Sequence, residues 1–402
     1  MKVLCVFGKH QYGDPARGIG TEYAAFMPAL QRLEHEVIHF DSWDKSRFAD
    51  YAELNQALLN AVEQARPDVM LTIQRDYEIW LETLQLIQAR KDVATISWTT
   101  DDSWKYQEVS RFIGKAYHAM TTTYADCIEK YHHDGITNVL LTQWAANSEL
   151  LRTPLSASNC RYSVSFVGAA HGDRKQRIAE LQSYGIDVTC FGHGWSAGSV
   201  AAEEIPRIVR DSVISLNFSN AYKGANQVKA RTFEVPGAGG FLLTETAIGL
   251  ERAYCADEEI AVFADQEELV TKIKHFLAHP IERDAIAQAG FLRTHGEHTY
   301  DLRMKELLDF AVRARDHWLD SHSQTSHSQT RQTSFESALE SYCLTVPLKL
   351  MRRLLVSVCQ LFLGQQQGIR AARRLVFEVS WRLFGYKTFT ASGLPGRMFP
   401  YQ

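Results

Sequence analysis

Short apolar runs alternating with segments of helical period constrain the fold of this chain more than any other feature. The runs at 2–7, 35–40, 69–73 and 93–98 have strand length, and 22–32, 51–64 and 81–89 between them carry helical spacing. Further runs follow at 117–122 and 139–142, and a second series begins at 161–167, 188–191 and 215–218. Strands that alternate with helices at this pitch form βαβ units, so the class is α/β with parallel sheets. A chain of 402 residues exceeds one ordinary core. Two Rossmann-like domains are expected, 1–150 and 161–300, joined by a Pro154-containing linker at 151–160 and followed by a helix over 301–320.

Composition narrows the class. With 45% hydrophobic and 22% charged residues the chain reads as soluble and globular. Its seven cysteines are scattered, odd in number and without a C-x-x-C pair, which points to a reducing, cytoplasmic setting and to no bound metal. The apolar start stops at Gly8, too soon for a secretory leader. The formal charge of -4 is uneven: residues 341–402 hold nine Lys and Arg against Glu378, giving +8 there and leaving -12 on the first 340. So acidic a body excludes nucleic acid as a partner.

The stretch 226–245, NQVKARTFEVPGAGGFLLTE, is the most informative single segment. Its first half has helical spacing, the glycines at 237, 239 and 240 end the helix, and 241–243 is a buried strand. Ligands of open parallel sheets sit outside the carboxyl ends of strands, where helix amides meet anions. On that ground Gly239 and Gly240 are expected at the floor of a nucleotide or phosphate site. Gly168 to Arg174 repeats strand, glycine loop and helix start, and Arg174 or Arg177 supplies charge unless it lies on a solvent face. His193, after the 188–191 strand, is placed to meet a diphosphate or base. In the first domain, Gly18 and Gly20 either let a ligand approach the backbone or belong to a surface loop. Asp101 and Asp102 follow a strand end and serve as a base, as holders of sugar hydroxyls, as cation ligands, or as caps of the next helix.

Taken together, FVG-x5-R at 166–174, TFEVPGAGGFLLTE at 232–245, Leu250-Glu251 and HTYDLR at 298–303 resemble the CgeB-like glycosyltransferases, relatives of the retaining nucleotide-sugar transferases of GT-B fold. The resemblance spans roughly residues 1–309 and implies two facing Rossmann-like domains, a donor on the second, an acceptor beside Gly18, Gly20, Asp101 and Asp102, and a C-terminal helix crossing back to the first. Relatives carry Glu-x7-Glu, in which the second glutamate holds ribose hydroxyls and the first lies near the donor sugar. Glu234 matches the second, and Asn226 stands where the first would be. Arg174 and Lys229 are then expected to stabilise the departing diphosphate without a metal, and an inverting outcome would make Asp101 or Asp102 the acceptor base. The implied activity moves a sugar from a nucleotide-diphosphate sugar to a glycan, lipid-linked or other hydroxyl acceptor, with no other cofactor. A nucleotide-sugar epimerase and a noncatalytic glycan-binding or assembly protein are the alternatives.

Beyond a polar segment at 321–340, residues 341–402 form a basic amphipathic helical tail. Arg370, Arg373, Arg374 and Arg382 lie among Leu375, Phe377 and Trp381. Residues 341–384 either pack as a hairpin or against a partner helix, or lie on an anionic membrane surface, which would make the protein peripheral at the cytoplasmic face.

Overall fold

A computed structural model of the protein describes residues 1–220, 226–323 and 335–400; most of the polar segment 321–334 lies outside the described residues. Two units result, Met1–Thr142 with the chain from Lys305 onward, and Gln143–Met304.

The first unit holds strands β1 (Lys2–Val6), β2 (Glu36–Phe40), β3 (Val69–Thr72), β4 (Ala94–Ser97), β5 (Ala119–Thr122) and β6 (Val139–Leu141). All pair in parallel in the order β2-β1-β3-β4-β5-β6. Val3, Leu4, Cys5 and Val6 are wholly buried because β1 has a strand on each side and helices on each face. Helices α1 (Thr21–Arg32), α2 (Tyr51–Ala65), α3 (Leu81–Gln88), α4 (Asp102–Lys105), α5 (Arg111–Ile113) and α6 (Ala125–His133) make the connections. Leu54, Leu58 and Val62 line one face of α2, and its first turn starts where the Asp50 side chain accepts the Glu53 amide at 3.0 Å.

The second unit holds β7 (Tyr162–Val167), β8 (Thr189–Phe191), β9 (Ser212–Asn217), β10 (Leu242–Glu245) and β11 (Ala261–Phe263), parallel in the order β11-β10-β9-β7-β8. Around them lie α7 (Arg174–Ser183), α8 (Ile205–Arg210), α9 (Arg231–Gly237), α10 (Gln266–Ala278) and α11 (Pro280–Glu297). Each sheet reverses its winding once, at β1/β3 and at β7/β9, which marks the switch points where doubly wound sheets take ligands. This is the GT-B α/β architecture, extended by C-terminal helices.

Helix α12 (Tyr300–Ser323) starts in the second unit and ends in the first. Its start is fixed by HTYDLR: the Ala146 amide donates to the His298 carbonyl, the Tyr300 amide donates back to Ala146, and Ser148 Oγ bonds the Asp301 carboxylate. The last segment forms α13 (Phe335–Ser341), α14 (Val346–Leu363), α15 (Gln365–Phe384) and α16 (Leu394–Met398). Ala338, Phe377 and Phe389 join the apolar core of the first unit, and Arg374 pairs with the buried Glu108 at 2.7 Å. Helices α13 and α15 are thus structural parts of the first unit. By contrast α14 packs beside α15 and buries no residue fully. Among the described residues no helix is long and apolar enough to cross a membrane.

Candidate functional site

At the β7/β9 switch point the carboxyl ends of the strands carry a loop cluster with excess positive charge. Gly168 follows β7, and its amide donates to the Phe191 carbonyl at 2.8 Å while the Ala170 amide donates to the His193 carbonyl at 2.8 Å. Two loops therefore lie backbone against backbone. Gly192 makes this approach possible: its φ of 129° lies outside the range of L side chains, and a Cβ there would sit 2.4 Å from the Gly168 carbonyl. His193 contributes its carbonyl to this contact and leaves its ring exposed.

Arg174, the first residue of α7, lies beneath the glycine loop instead of reaching out from it. Its guanidinium is buried, donates to the Ala169 carbonyl at 3.0 Å and stacks 5.4 Å from the Phe166 ring centroid. It also lies 3.2 Å from His171 Nδ1, and burial followed by Arg174 depresses the pKa of that imidazole, with Lys229 acting in the same direction. Arg177 is engaged as well, donating to Glu245 at 2.9 Å and covering the Phe218 ring at 4.4 Å. The other Glu245 oxygen accepts the Ser219 amide at 2.9 Å, which pins the end of β9 to β10. Asn220 donates to Asp173 at 2.9 Å across the switch point.

The segment expected to be helical from Asn226 forms α9 only from Arg231. Asn226 and Gln227 pair as isolated bridges with Asn220 and Ile248, and Asn226 Nδ2 donates to the Thr246 carbonyl at 3.1 Å. Lys229 is half-buried just before α9, and Glu234 in the first turn is one-third exposed and pairs with Arg231 at 3.1 Å. Arg174, Lys229 and Glu234 thus belong to one strand-end cluster.

Gly239 and Gly240 do not belong to it. Helix α9 runs back along the sheet, so its glycine turn reaches the amino edge, opposite the switch point. A Cβ on Gly239 would lie 2.5 Å from the Arg152 carbonyl, and one on Gly240 would lie 2.7 Å from that of Val209. The expectation that they floor a phosphate site is corrected: they allow α9 to pack on the 152–153 backbone and on the end of α8.

In the first unit the two aspartates separate. Asp102 is 1% exposed, and its carboxylate accepts from Ser110 Oγ at 2.7 Å, Tyr131 OH at 2.8 Å and Thr99 Oγ1 at 3.0 Å. Burial raises its pKa despite these donors. So enclosed a carboxylate holds α4 and α6 to the sheet, which corrects its reading as a base. Asp101 stands at the amino end of α4, half-exposed and without a side-chain capping bond. It raises the pKa of Glu22, on the first turn of α1, after the larger effect of burial. Sequence reasoning missed Glu22, although it follows Gly20-Thr21 at a helix start. Gly18 is exposed with nothing within 4 Å of a built Cβ, while Gly20 is buried and starts α1 by accepting the Ala24 amide.

A family model described as glycosyl transferase-like matches residues 174–309, about a third of the chain. No curated protein matches. Among solved structures, a sucrose-phosphate synthase from Thermosynechococcus elongatus superposes with a TM-score of 0.53 at 12% identity, over 77% of this chain and 98% of that one. Anabaena HepE in complex with UDP-glucose gives 0.52 at 11% identity, over 80% and 100%. A glycosyltransferase involved in avilamycin A biosynthesis gives 0.51 at 12% identity, over 78% and 98%. The likeness to these structures is one of fold, and the glycosyl transferase-like segment lies mostly within the second unit, which carries the cationic strand-end cluster.

Proposed function

We propose that the protein transfers a glycosyl group from a nucleoside-diphosphate sugar to a hydroxyl acceptor, with the donor held at the β7/β9 edge of the second unit. The observation that carries this reading is the gathering of Arg174, Lys229, Arg231 and Glu234 around a glycine loop at a switch point, inside or beside the glycosyl transferase-like segment. Breaking the anomeric C–O bond leaves negative charge on the departing diphosphate. Lys229 and Arg231 stabilise that charge, and Arg174 acts from below by fixing the loop. Positive side chains at this edge make a metal unnecessary for the step. Glu234 accepts the ribose hydroxyls, and Asn226 orients the donor sugar in the position where relatives of the resembling family have a carboxylate. On the acceptor side, Asp101 takes the hydroxyl proton if the anomeric configuration inverts. Retention of configuration would leave Asp101 to position the acceptor.

The acceptor is proposed to be lipid-linked or membrane-proximal. Support comes from α14, which exposes Val346, Leu350, Leu354, Leu361 and Phe362 beside Lys349 and Arg353.

Calorimetric titration of the full chain with UDP, GDP, ADP and dTDP sugars, followed by mass analysis of products, tests the donor site. UDP-glucose is the first donor to try because HepE of the same fold was solved with it. For the preferred donor, Glu234→Gln is expected to weaken affinity about ten- to a hundredfold with unchanged thermal stability, since a charged acceptor becomes a neutral one. Unchanged affinity would remove Glu234 from the site, and no binding of any nucleotide sugar would defeat the reading.

A further inference from the structure

A cavity of about 620 Å³ opens at the carboxyl edge of the first sheet, beside the β1/β3 switch point. Its wall comes from the loops after β1, β2 and β3 and from α15. Five cations line it, Arg17, Lys45, Arg75, Arg370 and Arg373, against three carboxylates. Two of those carboxylates are engaged: Asp14 accepts the Ala16 amide and pairs with Arg17, which offsets that cation, and buried Glu78 accepts the amides of Arg75 and Asp76, leaving Lys45, Arg75, Arg370 and Arg373 against Asp76. The cavity therefore faces its interior with positive charge.

Arg75 is the best fixed of these groups. Its guanidinium lies 5.3 Å from the Tyr12 ring centroid and 5.1 Å from that of Trp43, and donates to the Tyr12 carbonyl at 3.1 Å. Its own carbonyl accepts from Lys105 Nζ at 2.9 Å. The Tyr12 backbone is held in the left-handed region at φ 56°, uncommon for a bulky residue. From the other side come Arg370 and Arg373, one helical turn apart on α15, the helix that Arg374 and Phe377 anchor to this unit. The Lys45 ammonium is pushed below its ordinary pKa by burial and then by Arg373, Arg75 and Arg370. Such crowding of like charge is relieved by an anion among them.

We propose that this cavity binds a phosphorylated ligand, a phosphate or diphosphate ester, through Arg75, Arg370, Arg373 and Lys45, with the organic part of the ligand against Tyr12 and Trp43. Arginine forks match phosphate oxygens two at a time, and aromatic faces suit the C–H surface of a sugar or the stem of a lipid. The site is separate from the donor edge of the second unit and stands without the transfer reading. With that reading, it names the acceptor class as one that carries phosphate.

The test is calorimetric titration of the full chain with inorganic pyrophosphate, glucose 1-phosphate and glucose. The two anions are expected to bind and glucose not to. In the Arg370→Gln, Arg373→Gln double variant and, separately, in Lys45→Gln on the loop after β2, affinity for the anions is expected to fall about tenfold or more, as charged hydrogen bonds are lost. Lys229→Gln with Arg231→Gln, which removes the charges assigned to the donor diphosphate, is expected to leave it unchanged, which separates this cavity from the donor site. Wild-type affinity in both cavity variants, or equal binding of glucose, overturns the proposal. Competition of pyrophosphate by vesicles containing phosphatidic acid, and not by phosphatidylcholine alone, assigns the site to lipid phosphate. Displacement by glucose 1-phosphate without vesicle competition assigns it to a soluble ester.

Discussion

His298 Nε2 donates to the Ala253 carbonyl at 2.8 Å, and because an arginine can only donate, its Nδ1 must accept from Arg303 at 2.9 Å. That pair of bonds requires the neutral ring. Burial first, then Arg303 and Arg293, depress its pKa against the opposing effects of the Ala253 carbonyl and Glu297. A base with a lowered folded-state pKa stays neutral in the fold while the unfolded chain takes up a proton near pH 6.5. Stability should therefore fall as pH drops below about 6.5, until the folded-state value is reached. His39 is depressed as well, chiefly by burial, and adds to the same slope. Denaturant unfolding at pH 7, 6 and 5 is expected to show a shallower loss in His298→Gln than in the wild type; parallel slopes would dismiss this role. The His298–Arg303 segment was recognisable in the sequence as a shared pattern, but its purpose was not, because the bond to Ala253 spans 45 residues. The reading of Asp102 as a base failed for a related reason. Adjacent carboxylates look equivalent in a string, and only the three hydroxyls from Thr99, Ser110 and Tyr131 make one of them a core residue.

For whole elements, most strands and their parallel pairing followed from the alternation of apolar runs with helical segments, because strands buried on both faces leave continuous apolar runs, whereas their order in each sheet came only with the structure. The glycine turn after α9 shows where that logic stops. Composition identified a turn, yet which edge of the sheet it occupies depends on the direction of the helix before it. Gly18 and Gly239 have nearly the same φ, 81° and 83°, but a Cβ on Gly18 meets open space and one on Gly239 meets the Arg152 backbone. Gly18→Ala is expected to cost only the backbone strain, about 1 kcal/mol, and Gly239→Ala about 2–3 kcal/mol, because the 152–153 backbone must also move. Thermal unfolding of the two variants measures the difference. Equal losses would contradict the close packing, and loss of nucleotide affinity in folded Gly239→Ala would return that glycine to the ligand site.

Across the whole molecule, charge is divided between an acidic body and a basic C-terminal segment, and the fold gives each part of that segment a different task. Helix α15 turns Phe377 into the core and Arg374 onto Glu108, so part of the basic sequence is consumed by packing. Helix α14 keeps its apolar side outside: Leu354 is 69% exposed, Leu361 81% and Phe362 78%, with Lys349 and Arg353 exposed beside them. An apolar helical face with flanking cations suits the boundary of an anionic bilayer, where buried area and attraction to headgroups add. Removing the segment would uncover the Phe377 core, so the proper test is substitution on the exposed face. The full chain is expected to float with phosphatidylglycerol vesicles and not with phosphatidylcholine vesicles, and to bind less as salt screens Lys349 and Arg353. Leu350→Gln with Leu354→Gln and Phe362→Gln should abolish flotation while leaving the unfolding midpoint nearly unchanged, because none of the three side chains is buried. Flotation that is absent in the wild type, or that survives the triple substitution, would end the case for a membrane-facing α14.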